Sequence, residues 1–83
     1  MIQIDDFMVA SFEKKCELIV SHTSYITSRQ VDERKVYLYH TGKFFIEVLY
    51  SPQLKRVLVI QPFNDLDNLM PYAESVSLAD LKL

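Results

Sequence analysis

The sequence has few of the residues that mark disulfide-stapled or membrane-spanning proteins. It contains no tryptophan, one glycine and one cysteine in 83 residues. The single cysteine, Cys16, excludes an internal disulfide and favours a reducing compartment, so we expect a cytoplasmic protein. No apolar run approaches the roughly 20 residues that a membrane-spanning helix needs. The N-terminus also lacks a basic segment followed by a long apolar one, and we expect no signal peptide.

The chain does contain enough apolar and aromatic side chains for one packed domain. Hydrophobic residues make up 49% of the sequence, which includes five Tyr and five Phe. This composition argues against disorder and predicts a single domain over residues 1–83. The core of so short a chain is small, and its stability is marginal. The net charge of −2 does not indicate a strongly charged partner.

Residues 5–21 have the spacing of an amphipathic helix. Asp5 or Asp6 is expected to cap it and to favour the positive end of its dipole. Apolar residues recur every three or four positions and form one predicted stripe, which comprises Met8, Val9, Phe12, Cys16, Ile19 and Val20. Residues 25–29 are rich in strand-forming side chains and are predicted to form a strand. The alternative is a helix that continues to about residue 28.

Residues 35–63 predict antiparallel strands, with a first turn that contains Thr41 and Gly42. Two loops fit this turn. A two-residue loop would pair His40 with Lys43. A three-residue loop would use Gly42 as a left-handed residue with a bulge.

The three-residue loop is the preferred register. Its pairs are Val36 with Ile46, Leu38 with Phe44 and Lys35 with Glu47. We prefer it because it gives one continuous apolar face and one cross-strand pair of opposite charge.

A second turn is predicted over residues 51–55, with Pro52 at a favoured position. Pairing Val48 with Leu58 and Ile46 with Ile60 extends the same face into the next strand, where Pro62 is tolerated near the end of an edge. The predicted core face comprises Val36, Leu38, Phe44, Ile46, Val48, Leu58 and Ile60. The N-terminal helix is its expected cover.

The opposite face is mixed, but its centre is apolar. The candidate interface residues at this centre are Tyr37, Phe45, Leu49, Val57 and Val59. An apolar patch of this kind on a small domain usually marks an interface. We therefore expect self-association through this face or through a sheet edge, as a homodimer, or contact with another protein. Burial beneath residues 64–83 is the alternative.

Residues 64–83 predict one or two short helical turns, here called the tail. Ser77 and Asp80 have the spacing of a weak capping box. The apolar residues that could fold back on the sheet are Leu66, Leu69, Met70, Tyr72 and Val76. The sequence does not indicate which surface the tail covers.

These elements predict an α+β fold, with an N-terminal helix packed on an antiparallel meander of three or four strands and a short helical C-terminal segment. Three segments carry a resemblance: LYHTGKFFIEVLYSP at 38–52, QPF at 61–63 and LMPYAESVSL at 69–78. In these segments the chain resembles a group of small uncharacterised bacterial proteins. The resemblance implies an α+β fold. It implies no activity and transfers no site residues.

No catalytic or metal-binding motif is present. The two histidines, His22 and His40, lack the spacing to each other or to Cys16 that a metal site needs. Cys16 lies on the predicted apolar stripe, where a free cysteine behaves as a small buried hydrophobe. We therefore expect a protein that is not an enzyme and that binds no metal or cofactor.

Two further functions fit some of the residues. A small ligand could bind in a pocket between helix and sheet, for which the candidates are Tyr25, Tyr39 and His40. A nucleic acid could stack on Tyr37, Tyr39 and Phe45. Residues 33–56 include five basic and two acidic residues, but the whole chain is acidic. This weak basic stripe argues against nucleic acid.

Overall fold

A computed structural model describes residues 2–65 and 67–72. The elements, in chain order, are α1 (Ile4–Val9), α2 (Phe12–His22), β1 (Ser24–Val31), β2 (Arg34–His40), β3 (Phe45–Ser51), β4 (Arg56–Phe63) and a 3-10 turn at Met70–Tyr72. The four strands form one antiparallel sheet in the order β1-β2-β3-β4. This confirms the predicted α+β fold and meander, including a strand over residues 25–29. Leu66, Val76 and the Ser77–Asp80 capping box lie outside the described residues.

The N-terminal helix is interrupted, so the prediction of one helix over residues 5–21 is wrong. Ala10 leaves the helical conformation, with φ −68° and ψ 152°. The Ser11 hydroxyl then caps α2, because it accepts a hydrogen bond from the backbone N–H of Lys14 at 3.1 Å. The predicted cap is also wrong: Gln3 occupies the cap position of α1, and both aspartates lie in its first turn.

The break changes which helical residues are buried. Phe7, Leu18 and Ile19 face the sheet and are buried. The members of the predicted stripe that lie exposed are Met8, Val9, Phe12 and Val20. The predicted stripe is therefore correct only at Ile19 and, in part, at half-buried Cys16. In a continuous helix, residues three or four apart would all lie on one buried side. Because the helix is broken at Ala10, α1 and α2 each bury a different set of positions.

The turn between β2 and β3 sets a register that differs from both predicted ones. The Thr41 N–H donates to the Phe44 carbonyl at 3.0 Å. The Thr41 hydroxyl accepts from the N–H groups of Lys43 and Phe44 at 3.2 and 3.1 Å. The loop is thus centred on Gly42 and Lys43, with Gly42 at φ 100°, and His40 pairs with Phe45.

This register moves two predicted core residues to the other face of the sheet. Val36 pairs with Leu49, and Leu38 pairs with Glu47. The next hairpin is shifted by two residues from its predicted pairing, so Val59 and Ile60 keep their predicted faces. Its observed pairs are Val48 with Ile60 and Ile46 with Pro62. An irregularity at Leu58 breaks the alternation before Val59. Val57 therefore packs with Ile46 and Val48, and Leu58, a predicted core residue, is only half-buried and has no cross-strand partner. A single core face that contains Val36, Leu38, Ile46 and Val48 is therefore wrong.

The sheet is buried on both faces instead. The helix face packs beneath α1 and α2, and its buried cluster comprises Phe7, Leu18, Ile19, Phe44, Ile46 and Val48. The other face, here called the tail face, packs beneath residues 67–72, and its buried cluster comprises Val36, Leu38, Phe45, Phe63, Leu69 and Tyr72. The tail thus supplies Leu69 and Tyr72, each 1% exposed, to a second core.

Candidate functional site

A cavity of about 300 Å³ lies on the tail face, beside the part that residues 67–72 cover. Its lining residues are Arg29, Val31, Val36, Glu47, Leu49, Val59 and Gln61. All four strands contribute, because the lining follows two rows of cross-strand partners. One row runs from Arg29 through Val36 and Leu49 to Val59. The other places Glu47 beside Gln61.

The cavity combines apolar walls with one positive and one negative side chain. Val31, Val36, Leu49 and Val59 supply the apolar surface. A second depression, of about 760 Å³, shares Val31 and Leu49 with the cavity and lies between the β1–β2 and β3–β4 turns. Apolar walls with a few polar groups are typical of small-molecule sites.

Arg29 links the cavity to the tail. The Cζ atom of its guanidinium lies 5.2 Å from the centroid of the Tyr72 ring. At this distance a guanidinium is attracted to the negative face of an aromatic ring. The Tyr72 N–H also donates to the Leu69 carbonyl at 2.9 Å, which closes the 3-10 turn. Arg29 therefore forms part of the tail's docking surface and of the cavity lining.

Three polar atoms at the tail face are buried without a hydrogen bond of normal geometry. Arg29 Nε, His40 Nε2 and Tyr72 Oη have no such bond within the described part of the chain, although the Tyr72 hydroxyl lies close enough to Glu47 to lower the pKa of that carboxyl. A buried donor that stays unsatisfied costs about 1–3 kcal/mol. Native proteins leave few such groups, so each one needs a structural explanation.

Glu47 is the half-buried acid of the cavity. Burial raises its pKa, while the Arg29 charge and the nearby Tyr72 hydroxyl lower that pKa in part. Burial likewise raises the pKa of Tyr72. Among residues 2–65 and 67–72, the one ion pair within 4.0 Å joins Lys14 to Glu17. Arg29 and Glu47 thus line the same cavity with opposite charges and do not pair with each other.

The five candidate interface residues do not share a surface, so the prediction that they lie on one face is wrong. Tyr37 and Val57 pack against the helix-face cluster. Phe45 is fully buried in the tail-face cluster. Leu49 and Val59 are the two that come together, and both line the cavity.

The three candidate pocket residues are also divided. The Tyr25 and Tyr39 rings lie 5.8 Å apart in an edge arrangement, and Tyr39 packs against the helix-face cluster. His40 lies on the tail face, where its ring centroid is 4.6 Å from that of Phe45. One pocket that contains all three residues is therefore wrong. The stacking platform of Tyr37, Tyr39 and Phe45 is wrong for the same reason.

The sequence reasoning missed the charged residues that define the cavity. Arg29 is the one charged residue of β1, and Glu47 is the one charged residue of β3. A charge in the middle of an otherwise uncharged strand was the available signal. This signal predicts a shared site only when the correct strand register is known, because that register places Arg29 and Glu47 on one face of the sheet.

His40 is expected to make the free energy of unfolding depend on pH. Burial lowers the pKa of His40 from its ordinary value of 6.5, so the unfolded chain takes up its proton before the folded chain does. The stability that neutral His40 contributes is complete above pH 6.5 and decreases as the pH falls from 6.5 through the lowered pKa. We expect His40→Gln to remove this part of the acid sensitivity, measured by urea unfolding between neutral and mildly acidic pH. The exposed His22, changed to Gln, is the control; equal acid losses in wild type and His40→Gln would contradict the assignment.

No group of three His, Cys, Asp or Glu side chains suited to a metal occurs within residues 2–65 and 67–72. Across the same residues, every helix is too short or too polar to cross a membrane.

A scan against protein-family models, a search of curated proteins and a search of solved structures find no match to this chain.

Proposed function

We propose that this protein is a non-catalytic interaction module that self-associates through the outer edge of β4. The observation that supports the proposal is the sequence of this edge strand. β4 ends the sheet, and residues 57–60 are Val-Leu-Val-Ile, without a charge. An edge strand presents unpaired N–H and C=O groups, and an apolar edge strand is a site for pairing with another chain.

Two features that usually protect an edge are placed at the ends of β4. Its one charged residue, Arg56, is the first residue of the strand, and Pro62 is the penultimate one. Between them, Leu58 has no cross-strand partner, because Leu49 pairs with Val59 and Tyr50 with Val57. Leu58 is half-buried and belongs to neither buried cluster.

The other edge strand is less suited to pairing. β1 has the sequence Ser-Tyr-Ile-Thr-Ser-Arg-Gln-Val, with five polar residues among eight. Its pairing with β2 is irregular between Tyr25 and Thr27, as the pairing of β4 with β3 is at Leu58, so the polar side chains of β1 are the difference between the two edges. Polar side chains are among the devices that keep an edge from pairing.

An antiparallel pair of β4 strands, one from each copy, would be related by a two-fold axis. Such a contact uses the same surface on both chains and closes without further growth. It would join two four-stranded sheets and enlarge the small core of an 83-residue chain. The single, half-buried Cys16 supports a reducing compartment such as the cytoplasm.

The test is sedimentation equilibrium over a range of protein concentrations, with wild type and Leu58→Lys. We expect a dimer for wild type and at least a tenfold weaker dimer, about 1.4 kcal/mol, for Leu58→Lys. A lysine on an edge strand opposes pairing, because two like charges meet across the axis. The fold should persist, since Leu58 lies outside both buried clusters.

The matched control is Gln30→Lys, which places the same charge on the exposed position of the other edge strand. It should leave the dimer unchanged. A wild-type chain that stays monomeric at high concentration would overturn the proposal, and so would a dimer that Gln30→Lys weakens as much as Leu58→Lys does. Self-association through another apolar surface, such as exposed Met8, Val9 and Phe12, would be detected as a dimer that neither variant affects.

A further inference from the structure

We propose that the cavity on the tail face binds a small zwitterion, an α-amino acid with an aliphatic side chain. Arg29 would bind its carboxylate, Glu47 would bind its ammonium group, and the valine and leucine walls would contact its side chain. This proposal does not rest on self-association, because the outer edge of β4 and the tail face are different surfaces.

The size of the cavity favours a ligand with few atoms. Its volume of about 300 Å³ lies at the lower end of the range for small-molecule sites, roughly 300–1,000 Å³. The apolar lining is formed by Val31, Val36, Leu49 and Val59. Valine and leucine side chains offer no hydrogen bonds, so they favour an aliphatic group over a polar one.

The two charges of the cavity favour a ligand that carries both signs. Arg29 and Glu47 line the same cavity but form no ion pair within 4.0 Å. A partly buried charge is stabilised by a nearby opposite charge, and a ligand that carries both signs would bring one to each of these residues. A monocarboxylate would satisfy Arg29 and leave Glu47 unpaired, and an amine would do the reverse.

Hydrogen bonding supports a carboxylate at the Arg29 side. Because Arg29 Nε is buried, a ligand in the cavity would be bound by the two terminal nitrogens of the guanidinium. The guanidinium group is a planar set of donors that matches a carboxylate in two parallel hydrogen bonds. Tyr72, whose ring lies 5.2 Å from Arg29 Cζ, contacts the guanidinium from the side of the tail and is not part of the cavity lining. Gln61, beside Glu47 in the sheet, adds an amide to the lining.

The experiment is a titration of the full-length protein with L-leucine, 4-methylpentanoate and 3-methylbutylamine, followed by amide chemical shifts in two-dimensional NMR. The three probes share one aliphatic body, but the second lacks the ammonium group and the third lacks the carboxylate. We expect saturable shifts at β1, β3 and β4 with leucine at a Kd of about 1 mM or tighter. Each single-charge probe should bind at least tenfold more weakly.

Glu47→Gln is the decisive variant, because it keeps the shape of the side chain and removes its charge. Leucine should bind this variant at least tenfold more weakly than wild type, while the affinity of 4-methylpentanoate should rise toward that of leucine. Leu58→Lys is the matched control and should keep the wild-type order of affinities. A failed dimer with intact leucine binding would thus contradict only the proposed self-association.

Three results would overturn the amino-acid proposal. One is the absence of saturable shifts with leucine. Another is binding of 4-methylpentanoate to wild type as tightly as leucine, which would assign the cavity to simple carboxylates. The third is unchanged leucine affinity in Glu47→Gln. If Glu47→Gln does not fold, Arg29→Lys supplies the test, since it keeps the charge but loses the paired hydrogen bonds and should weaken leucine and 4-methylpentanoate alike.

Discussion

Replacing Phe45 by alanine is expected to lower the free energy of unfolding by about 3–5 kcal/mol. Phe45 is fully buried in the tail-face cluster. Its ring stacks on that of Phe63 with 5.4 Å between centroids and lies beside His40. Removing it would therefore leave a cavity between the sheet and the tail. Urea unfolding followed by far-ultraviolet circular dichroism measures the loss.

The informative comparison is with Phe44→Ala on the other side of the sheet. Phe44 belongs to the helix-face cluster and makes an edge contact with Phe7 at 6.0 Å between centroids. Two independent cores predict losses of similar size for the two variants, and a change within about ±0.5 kcal/mol for the control Val20→Ala, whose side chain is exposed. A near-neutral Phe45→Ala would mean that the tail face is not packed. Phe45→Leu, expected to cost about 0.5–3 kcal/mol, keeps the test usable if the alanine variant does not fold.

Tyr72 should respond differently to the removal of its ring and to the removal of its hydroxyl alone. Tyr72→Ala is expected to cost about 3–5 kcal/mol, because the side chain is 1% exposed and holds the tail against Arg29. Tyr72→Phe keeps the ring and removes a buried hydroxyl that has no hydrogen-bond partner among the described residues. We expect it to leave stability unchanged or to raise it by up to about 1–3 kcal/mol.

The same unfolding measurement, made without added ligand, tests both variants. Native-state hydrogen exchange adds a second readout: Tyr72→Ala should speed exchange in the strands beneath the tail more than beneath the helices. A loss of more than 1 kcal/mol in Tyr72→Phe would show that the hydroxyl is hydrogen-bonded in solution. A near-neutral Tyr72→Ala would show that the tail does not contribute to the second core.

The sequence was sufficient for the fold class because each element has a local signal. Residues 25–29, the turn near Gly42 and the turn around Pro52 all lie where the pattern predicts them. Propensity and turn chemistry act over a few residues, so they can be recognised without knowledge of the tertiary structure.

The register depended on one side chain whose role the pattern does not reveal. The Thr41 hydroxyl accepts from two backbone N–H groups of the loop, which centres the turn on Gly42 and Lys43. A change of one residue in the register exchanges the two faces of a strand. Val36 and Leu38 therefore lie on the opposite face from Ile46 and Val48. Glu47 and Arg29 line one cavity, which no sequence pattern predicts.

The helical break had a similar cause. Ser11 can continue a helix or cap the next one, and the sequence does not distinguish the two. Its side chain accepts a hydrogen bond from the Lys14 N–H, so Ser11 caps α2 and does not continue α1. The two helices therefore have different orientations. Met8, Val9 and Phe12 are exposed as a result.

The helices that cover one face of the sheet precede the strands in the chain, and the residues that cover the other face follow them. This order matters for folding during translation. α1 and α2 precede the sheet, whereas Leu69 and Tyr72 follow β4. Because every strand pairs with its neighbour in sequence, the hairpins close short loops and should form rapidly. A chain that emerges from the ribosome N-terminus first has the cover of its helix face ready as the strands appear. Its tail face stays exposed to solvent until Leu69 and Tyr72 have been synthesised. The nascent sheet can therefore aggregate through that face.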